Sequence, residues 1–295
     1  MIGDGSPADL RQQDQQKLKL IADEVFRLAG GEAQFIRTFP ELIREAVEYV
    51  IDPVRTARTR VSDLDNVEKT FIGLKVEHFL RDFLGVPKGL RDFRLLGEDV
   101  DVKNTVRKTW MIPPETFRNA EPCLLVMVAT EERRCSIGIM IAREDYLNQP
   151  NRDGKRSVRR SSFEHIHWMI RDGQLPDSRF EGLDMVRFRE LRAVNGGTKR
   201  VVQFFRENTG KVIHRTVLQA LLFDQKDYMK RVRGNGGARD ILMAERTALF
   251  SGLYHSALIA ALGLPACDRE EFIARRCDET EWDMVLAGGY LAAKD

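Results

Sequence analysis

Two carboxylate residues and a lysine lie close together in the chain, at Asp92, Asp101 and Lys103. The segment that holds them predicts two short strands joined by a turn at Gly97. Because side chains alternate along a strand, Asp101 and Lys103 are expected to point to the same face. A tight antiparallel pair would also bring Asp92, at the start of the first strand, near Asp101.

Two carboxylates in such a place can bind a hard divalent cation, and Mg²⁺ takes few protein ligands and keeps several waters. A lysine beside them can orient an attacking water or offset the charge that develops at phosphorus. Together these groups meet the requirements of phosphodiester hydrolysis. Glu77, on a helix predicted before them, is a candidate fourth member through a water or a second metal. An Asp-x-Lys pattern also occurs on plain exposed strands, so the spacing alone leaves both interpretations open.

The elements around these residues predict an α/β domain over residues 1–170, with a mixed sheet and helices on its faces. Helices are expected at 18–28, 40–51 and 66–83, where apolar residues recur at helical spacing. Strands are expected at 92–96, 99–106, 109–112, 123–128 and 135–141. Residues 171–177, which contain Gly173 and Pro176, form the candidate linker.

Past this linker, residues 178–295 predict a second domain that is mainly helical. Helices are expected at 201–207, 213–223, 226–232 and 244–262. Several short helices with basic residues between them are typical of a helix-turn-helix or winged-helix domain.

A basic block with glycines stands inside this second domain, over residues 226–239. Its glycines would let the backbone approach phosphates, while its basic side chains would supply charge. A solvated basic turn is the competing interpretation. The candidate DNA-binding residues are Lys226, Lys230, Arg231, Arg233, Gly234, Gly236, Gly237 and Arg239.

The composition is that of a folded protein, with 43% hydrophobic and 31% charged residues. The net charge of +2 says little about partners, because phosphate binding needs local charge. The four cysteines form no CxxC pair, which favours free thiols in a reducing compartment. No signal peptide or membrane span is visible, so we expect a cytoplasmic protein.

Long segments of the chain resemble the NaeI family of type II (type IIE) restriction endonucleases. The similar segments are residues 52–58, 67–77, 100–103, 110–115 and 226–239, and the likeness covers roughly residues 50–245. The resemblance implies a PD-(D/E)xK nuclease fold with Glu77, Asp92, Asp101 and Lys103 at the catalytic site. The metal ligands would be Asp92, Asp101, the backbone of Val102, and Glu77.

The resemblance also implies an activity, which is Mg²⁺-dependent cleavage of both DNA strands at a short palindrome, leaving 5′-phosphates. Palindromic DNA has two-fold symmetry, so a homodimer is expected. A second DNA site in the C-terminal domain would activate the enzyme. Two alternatives remain, a strand-nicking endonuclease of the MutH kind and a non-enzymatic helix-turn-helix regulator.

Overall fold

A computed structural model describes the chain from residue 7 to residue 290, so the outer ends of both predicted domains, 1–6 and 291–295, lie outside the described residues. The chain forms two compact units. The first contains the chain up to Ile51 and then Arg60–Ser178, whereas the second contains Asp52–Thr59 and the chain from Arg179 onward. The short segment at 52–59 therefore belongs to the C-terminal unit, although the sequence places it in the N-terminal domain.

The first unit is a mixed α/β structure. Its helices are α1 (Pro7–Leu28), α2 (Glu32–Ile51), α4 (Asn66–Leu84) and α5 (Pro114–Phe117). Its strands are β1 (Phe93–Leu95), β2 (Glu98–Thr105), β3 (Met111–Ile112), β4 (Pro122–Ala129), β5 (Arg134–Ile141), β6 (Leu147–Pro150), β7 (Arg156–Val158) and β8 (His167–Gln174). The predicted linker at 171–177 thus includes the end of β8.

The main sheet has five strands in the order β1-β2-β4-β5-β8. The β2–β4 pair is parallel and the other pairs are antiparallel, so the sheet is mixed, as predicted. Strands β4 and β5 are almost wholly buried because both faces of the sheet are covered. Leu124 and Val126 pack with the helices on one face, whereas Cys123 and Leu125 pack in a separate core around Trp110 on the other.

Strand β3 lies outside the main sheet. The sequence predicts a strand at 109–112 as one of five in this region, but β3 pairs with β7 in a small three-stranded sheet of order β3-β7-β6. Trp110, just before β3, is fully buried, and its Nε1 donates a hydrogen bond to the carbonyl oxygen of Val126 at 2.7 Å. This bond ties the small sheet to β4.

Helix α4 has clear signals at both ends. Asp65 caps its first turn by accepting hydrogen bonds from the amides of Val67 and Glu68, and the Asp65 amide in turn donates to the Glu68 carboxylate. Gly85 ends the helix in the left-handed conformation at φ 62°, which costs glycine little. These ends agree with the predicted helix at 66–83 and fix the helix that carries Glu77.

The second unit combines short helices with a sheet. Its helices are α3 (Pro53–Thr56), α6 (Met185–Ala193), α7 (Gly197–Glu207), α8 (Arg215–Leu221), α9 (Met229–Val232), α10 (Ala238–Met243), α11 (Ser256–Ala261) and α12 (Glu279–Ala287). Its strands are β9 (Val212–His214), β10 (Thr247–Ser251) and β11 (Glu271–Arg276), in the antiparallel order β10-β11-β9.

The long helix predicted at 244–262 is wrong, because this stretch forms β10 followed by α11. All five residues of β10 are buried, and a short apolar run of this kind fits a buried strand as well as a helix. The core of the unit gathers Phe188, Phe204 and Phe205 with Val54 and Ala57 of the 52–59 segment. No helix among residues 7–290 is long and apolar enough to cross a membrane.

Candidate active site

Asp92 lies opposite Asp101 at the end of the β1–β2 hairpin. The antiparallel register pairs Phe93 with Val100, so continuing it by one residue sets Asp92 against Asp101. The Oδ2 atom of Asp92 accepts a hydrogen bond from the backbone amide of Val102 at 2.7 Å. The structure therefore brings together the two carboxylates that the sequence predicts as neighbours.

Asp101 and Lys103 share one face of β2, as the alternation of side chains requires. Asp101 is 3% exposed. The ammonium group of Lys103 donates to Oδ1 of Asp101, while the Thr116 hydroxyl donates to Oδ2 at 2.7 Å. Both oxygens of this buried carboxylate are thus held in place, one by a partly exposed cation and one by a fully buried hydroxyl.

Burial raises the pKa of the Asp101 carboxyl above its ordinary value. The charge of Lys103 and the hydrogen bonds from Lys103 and Thr116 act in the opposite direction, and the neighbouring Asp92 raises the pKa further. Burial therefore outweighs the stabilisation that Lys103 and Thr116 give to the charged form of Asp101.

The loop before Asp92 is fixed by two sets of contacts. The amide of Leu90 donates to Oδ1 of Asp99 at 2.6 Å, across the turn at Gly89. Arg91 donates to both carboxylate oxygens of Glu121 at 2.7 and 3.1 Å, which joins the loop to the start of β4. Bidentate pairs of this kind restrict orientation as well as distance.

The side chain of Glu77 pairs with a residue of its own helix, α4. Its Oε1 atom accepts a hydrogen bond from Nη1 of Arg81, one turn along α4, at 3.2 Å. Among residues 7–290, no group of three or more His, Cys, Asp or Glu side chains is placed to hold a metal ion. Glu77 consequently does not form such a group with Asp92 and Asp101.

The remaining oxygen donors still suit a small hard cation. Asp92, Asp101 and the carbonyl of Val102 offer two carboxylates and one main-chain oxygen in one place. Mg²⁺ is commonly bound through one or two carboxylates and keeps the rest of its shell as water. The chemistry of this donor set fits such an ion.

Comparison with known proteins shows the family of this chain. The family model described as "Restriction endonuclease NaeI" matches residues 36–284. The chain belongs to the NaeI restriction endonuclease family. It is also 28% identical over 245 residues to the type II restriction enzyme NaeI of Lentzea aerocolonigenes, which covers 80% of this chain and 76% of that protein.

Membership of the NaeI family confirms the resemblance that the sequence segments predict. It makes the chain an enzyme, a type II site-specific deoxyribonuclease, which acts on DNA. The matched range includes Glu77, Asp92, Asp101 and Lys103, and it also includes the basic block at 226–239.

A cleft of about 790 Å³ lies beside α4 and the end of β2 in this NaeI family member. Asn104 and Thr105 line it, whereas Asp92, Asp101 and Lys103 do not. The charged residues that line the cleft are Lys69, Arg107, Glu131, Glu132 and Lys155. The carboxylate pair and its lysine therefore lie outside this cleft.

The basic block of the second unit presents most of its cations to solvent. The exposed residues are Lys226, Lys230, Arg231 and Arg233. Arg231 donates through Nε to Oε1 of Gln225 at 2.9 Å. Arg239 differs from these four because it is 6% exposed and its guanidinium lies 5.7 Å from the ring centre of Tyr290.

The glycines of this block have a structural reason of their own. The amide of Gly236 donates to Oδ2 of Asp240 at 2.7 Å, so this amide already has a carboxylate partner. A Cβ atom at Gly237 would lie 2.0 Å from the carbonyl oxygen of Arg233, which excludes any side chain there without a backbone shift. Gly234 is half-buried and less constrained.

Sequence reasoning missed three residues that support the site. Thr116 holds Asp101, and the Arg91–Glu121 pair holds the loop before Asp92. None of the three stands at a spacing that links it to the Asp-x-Lys pair. Their contacts depend on where α5 and β4 lie beside β2, which the sequence does not reveal.

Proposed function

We propose that this enzyme hydrolyses phosphodiester bonds of double-stranded DNA at Asp92, Asp101 and Lys103, with Mg²⁺ as cofactor. The observation that carries the proposal is the placement of Asp101 and Lys103 on one face of β2 with Asp92 opposite. These residues fall within the region that matches the family.

Each side chain has a separate task in the proposed reaction. Asp92, Asp101 and the carbonyl of Val102 would hold Mg²⁺, which when bound supplies Lewis-acid chemistry that activates water and offsets charge on phosphate. Lys103 would orient the attacking water or counter the charge that develops on the phosphate oxygens. Thr116 keeps the Asp101 carboxylate in the orientation that this arrangement needs.

Glu77 would join as the fourth member of the site. It lies on α4, and its side chain is largely buried. Because its carboxylate accepts a hydrogen bond from Arg81, we propose that Glu77 acts indirectly, through a water or a second metal. The hydrogen bond from Arg81 would restrict the orientation of the Glu77 carboxylate for that role.

The second unit is proposed to bind DNA as a winged-helix module. Helices α7, α8 and α10 stand with the three-stranded antiparallel sheet β10-β11-β9, which is the kind of architecture that such modules use. Lys226, Lys230, Arg231 and Arg233 would contribute charge toward phosphates, with Gly234, Gly236, Gly237 and Arg239 shaping the surface. The duplex bound there would be a second copy of the site, and it would activate cleavage.

The proposed reaction cuts both strands of a short palindrome and leaves 5′-phosphates. Two copies of the chain related by two-fold symmetry would present one active centre to each strand, so the working form would be a homodimer. The enzyme would meet its DNA in the cytoplasm.

Plasmid cleavage tests the proposal. With Mg²⁺, the unmodified chain should convert supercoiled plasmid to linear DNA, and chelation with EDTA should stop the reaction. Asp101→Asn should give no linear product. Asp82→Asn, an exposed change on α4 that removes the same charge, serves as the matched control and should cut normally.

The products distinguish the alternatives. Sequencing the ends of digested genomic DNA should show one palindrome, with both strands cut and phosphates at the 5′ ends. Accumulation of open-circular plasmid without linear product would favour a nicking enzyme. Normal cleavage by the Asp101→Asn variant would show that the site is wrong.

A further inference from the structure

Four arginines from separate parts of the second unit line one small cavity. The cavity has a volume of about 80 Å³. Its basic lining residues are Arg215, Arg233, Arg239 and Arg269, and its acidic lining residue is Glu270. Tyr254 also lines the cavity, and the residue is 48% exposed.

The fold, and not the order of the residues along the chain, brings these arginines together. Arg215 begins α8, Arg233 follows α9, Arg239 lies in α10, and Arg269 precedes β11. Gly252 closes the segment between β10 and β11, where its amide donates to the carbonyl of Glu271 at 2.9 Å. A Cβ at Gly252 would lie 2.1 Å from the carbonyl oxygen of Asp268, so only glycine allows the ends of this segment to meet.

The cavity's one acidic lining residue, Glu270, pairs with Arg215 and so does not compensate the charges of Arg233 and Arg269. Glu270 accepts a hydrogen bond from Nη1 of Arg215 at 3.3 Å, and Arg215 also donates to the Tyr228 hydroxyl at 2.5 Å. Arg233 and Arg269 make no ion pair within the described chain. Arg239 forms the buried side of the cavity at 6% exposure. Like charges that line one small cavity repel one another, and an anion bound between them would offset that repulsion.

A phosphate group is the anion that fits this lining best. Guanidinium groups present paired N–H donors that match the oxygens of phosphate, and several of them can bind one phosphate together. The volume is too small for a base or a whole nucleotide, which limits the occupant to the phosphate itself.

We infer that this cavity is a phosphate-binding pocket formed by Arg215, Arg233, Arg239 and Arg269, with Tyr254 at its rim. The inference rests on the proposed DNA-binding role of the second unit for one of its two sources, a phosphodiester of bound duplex. The other source is a free phosphate or a small phosphorylated molecule. Arg269 and Tyr254 lie among the last residues of the chain, for which the sequence alone gives no role.

The experiment uses the full chain with Asp101→Asn, so that bound DNA is not cut. Arg269→Gln removes one exposed pocket cation, and the double variant Arg233→Gln/Arg269→Gln removes two. Arg276→Gln is the matched control, because Arg276 is exposed on β11 and does not line the pocket. Thermal melting first shows that each variant folds as the parent does.

The duplex arm measures binding of a labelled duplex by fluorescence anisotropy over a series of salt concentrations. A side chain that contacts one phosphate contributes about 1 to the slope of log K against log salt concentration. Arg269→Gln should lower the magnitude of this slope by about 1, whatever the duplex sequence, and Arg276→Gln should leave it unchanged.

The small-anion arm titrates inorganic phosphate into each protein at constant ionic strength and records the heat. Phosphate heat that is present in the parent and lost in the double variant, with duplex binding unchanged, supports the pocket with a free phosphate as its source. A reduced salt slope supports the pocket with DNA as its source, whatever the titration shows.

Two outcomes separate the pocket from the wider proposal. If neither the salt slope nor the phosphate heat differs between parent and variants, the inference is overturned even when the enzyme cuts DNA normally. Suppose that neither the parent nor any variant binds the duplex, but the double variant loses the phosphate heat. The DNA-binding role then fails and the pocket stands.

Discussion

Asp92 accepts the backbone amide hydrogen of Val102 at 2.7 Å, across the hairpin that carries the carboxylate pair. This bond joins a side chain just outside β1 to the main chain of β2 between Asp101 and Lys103. The position of Asp92 is therefore set by the hairpin itself. A hydrogen bond from a backbone amide to a carboxylate is also stronger than one between neutral groups, which restricts the side chain further.

Lys103 should matter for the reaction more than for the fold. Its ammonium group is partly exposed and contacts Asp101, so replacing it leaves the sheet intact. We expect Lys103→Gln to lower the cleavage rate by about 10²- to 10³-fold, the usual cost of removing one group that stabilises developing charge. Single-turnover cleavage of a plasmid measures the rate, and anisotropy measures duplex binding.

The control for Lys103 is Lys108→Gln, which removes the same charge from an exposed position after β2. That variant should cut at the parent rate. Equal cleavage rates for Lys103→Gln and Lys108→Gln would show that Lys103 has no role in the reaction.

Gly89 should be essential to the position of Asp92. A Cβ atom there would lie 2.3 Å from Oδ1 of Asp99 and 2.7 Å from the carbonyl oxygen of Phe93, so alanine must displace the loop. Small misplacements of reacting groups can cost about 10²-fold in rate. We expect Gly89→Ala to lose cleavage on that scale while Lys88→Ala, an exposed neighbour, keeps it; a fully active Gly89→Ala enzyme would contradict this account of the loop.

Local sequence patterns predict the positions of Asp92, Asp101 and Lys103, because side chains alternate between two faces along every strand. Alternation along β2 puts Asp101 and Lys103 on one face, and the turn at Gly97 predicts Asp92 as their neighbour. The Thr116 and Arg91–Glu121 contacts could not be predicted in the same way. They join parts of the chain that meet only when β2, β4 and α5 assemble.

The second unit shows the limit of periodicity. Residues 248–250 are apolar and buried in β10, yet the same residues fit the helix predicted at 244–262. Pairing with β11 stabilises the strand rather than the helix. Because β11 lies far along the chain, this pairing leaves no signal in the local sequence. In the same way, nothing local in Asp52–Thr59 shows that this segment packs into the C-terminal unit.

Thr116 should support Asp101 through its hydroxyl alone. Thr116→Val keeps the volume of the side chain but leaves Oδ2 of Asp101 without that donor in a buried place. A buried acceptor that loses its partner costs roughly 1–3 kcal/mol, so urea unfolding should show a loss of that order and cleavage should fall. Thr116→Ser should restore both, because it retains the hydroxyl.

The control for Thr116 is Thr209→Val, an exposed position in the second unit. It should change neither stability nor cleavage. If Thr116→Val matched the parent in both measurements, the hydroxyl would have no part in holding Asp101.

The carboxylate of Asp224 should make the stability of the second unit depend on pH. The guanidinium of Arg200 donates to both its oxygens, at 2.7 and 2.8 Å, and these bonds lower the pKa of the Asp224 carboxyl to about 2. An unfolded aspartate titrates near about 3.9. The folded state therefore binds its proton less readily, so the stabilisation is complete above about pH 4 and is lost as the pH falls toward about 2.

We expect Asp224→Asn to melt below the parent at pH 7 and the difference to shrink as the pH falls from about 4 to about 2, where the parent carboxyl becomes neutral too. Circular dichroism melts across that range measure it. Asp283→Asn, an exposed change on α12, controls for the loss of one charge and should follow the parent curve. A difference between parent and Asp224→Asn that stayed constant from pH 7 to pH 2 would show that the Arg200 contact does not act through the carboxylate charge.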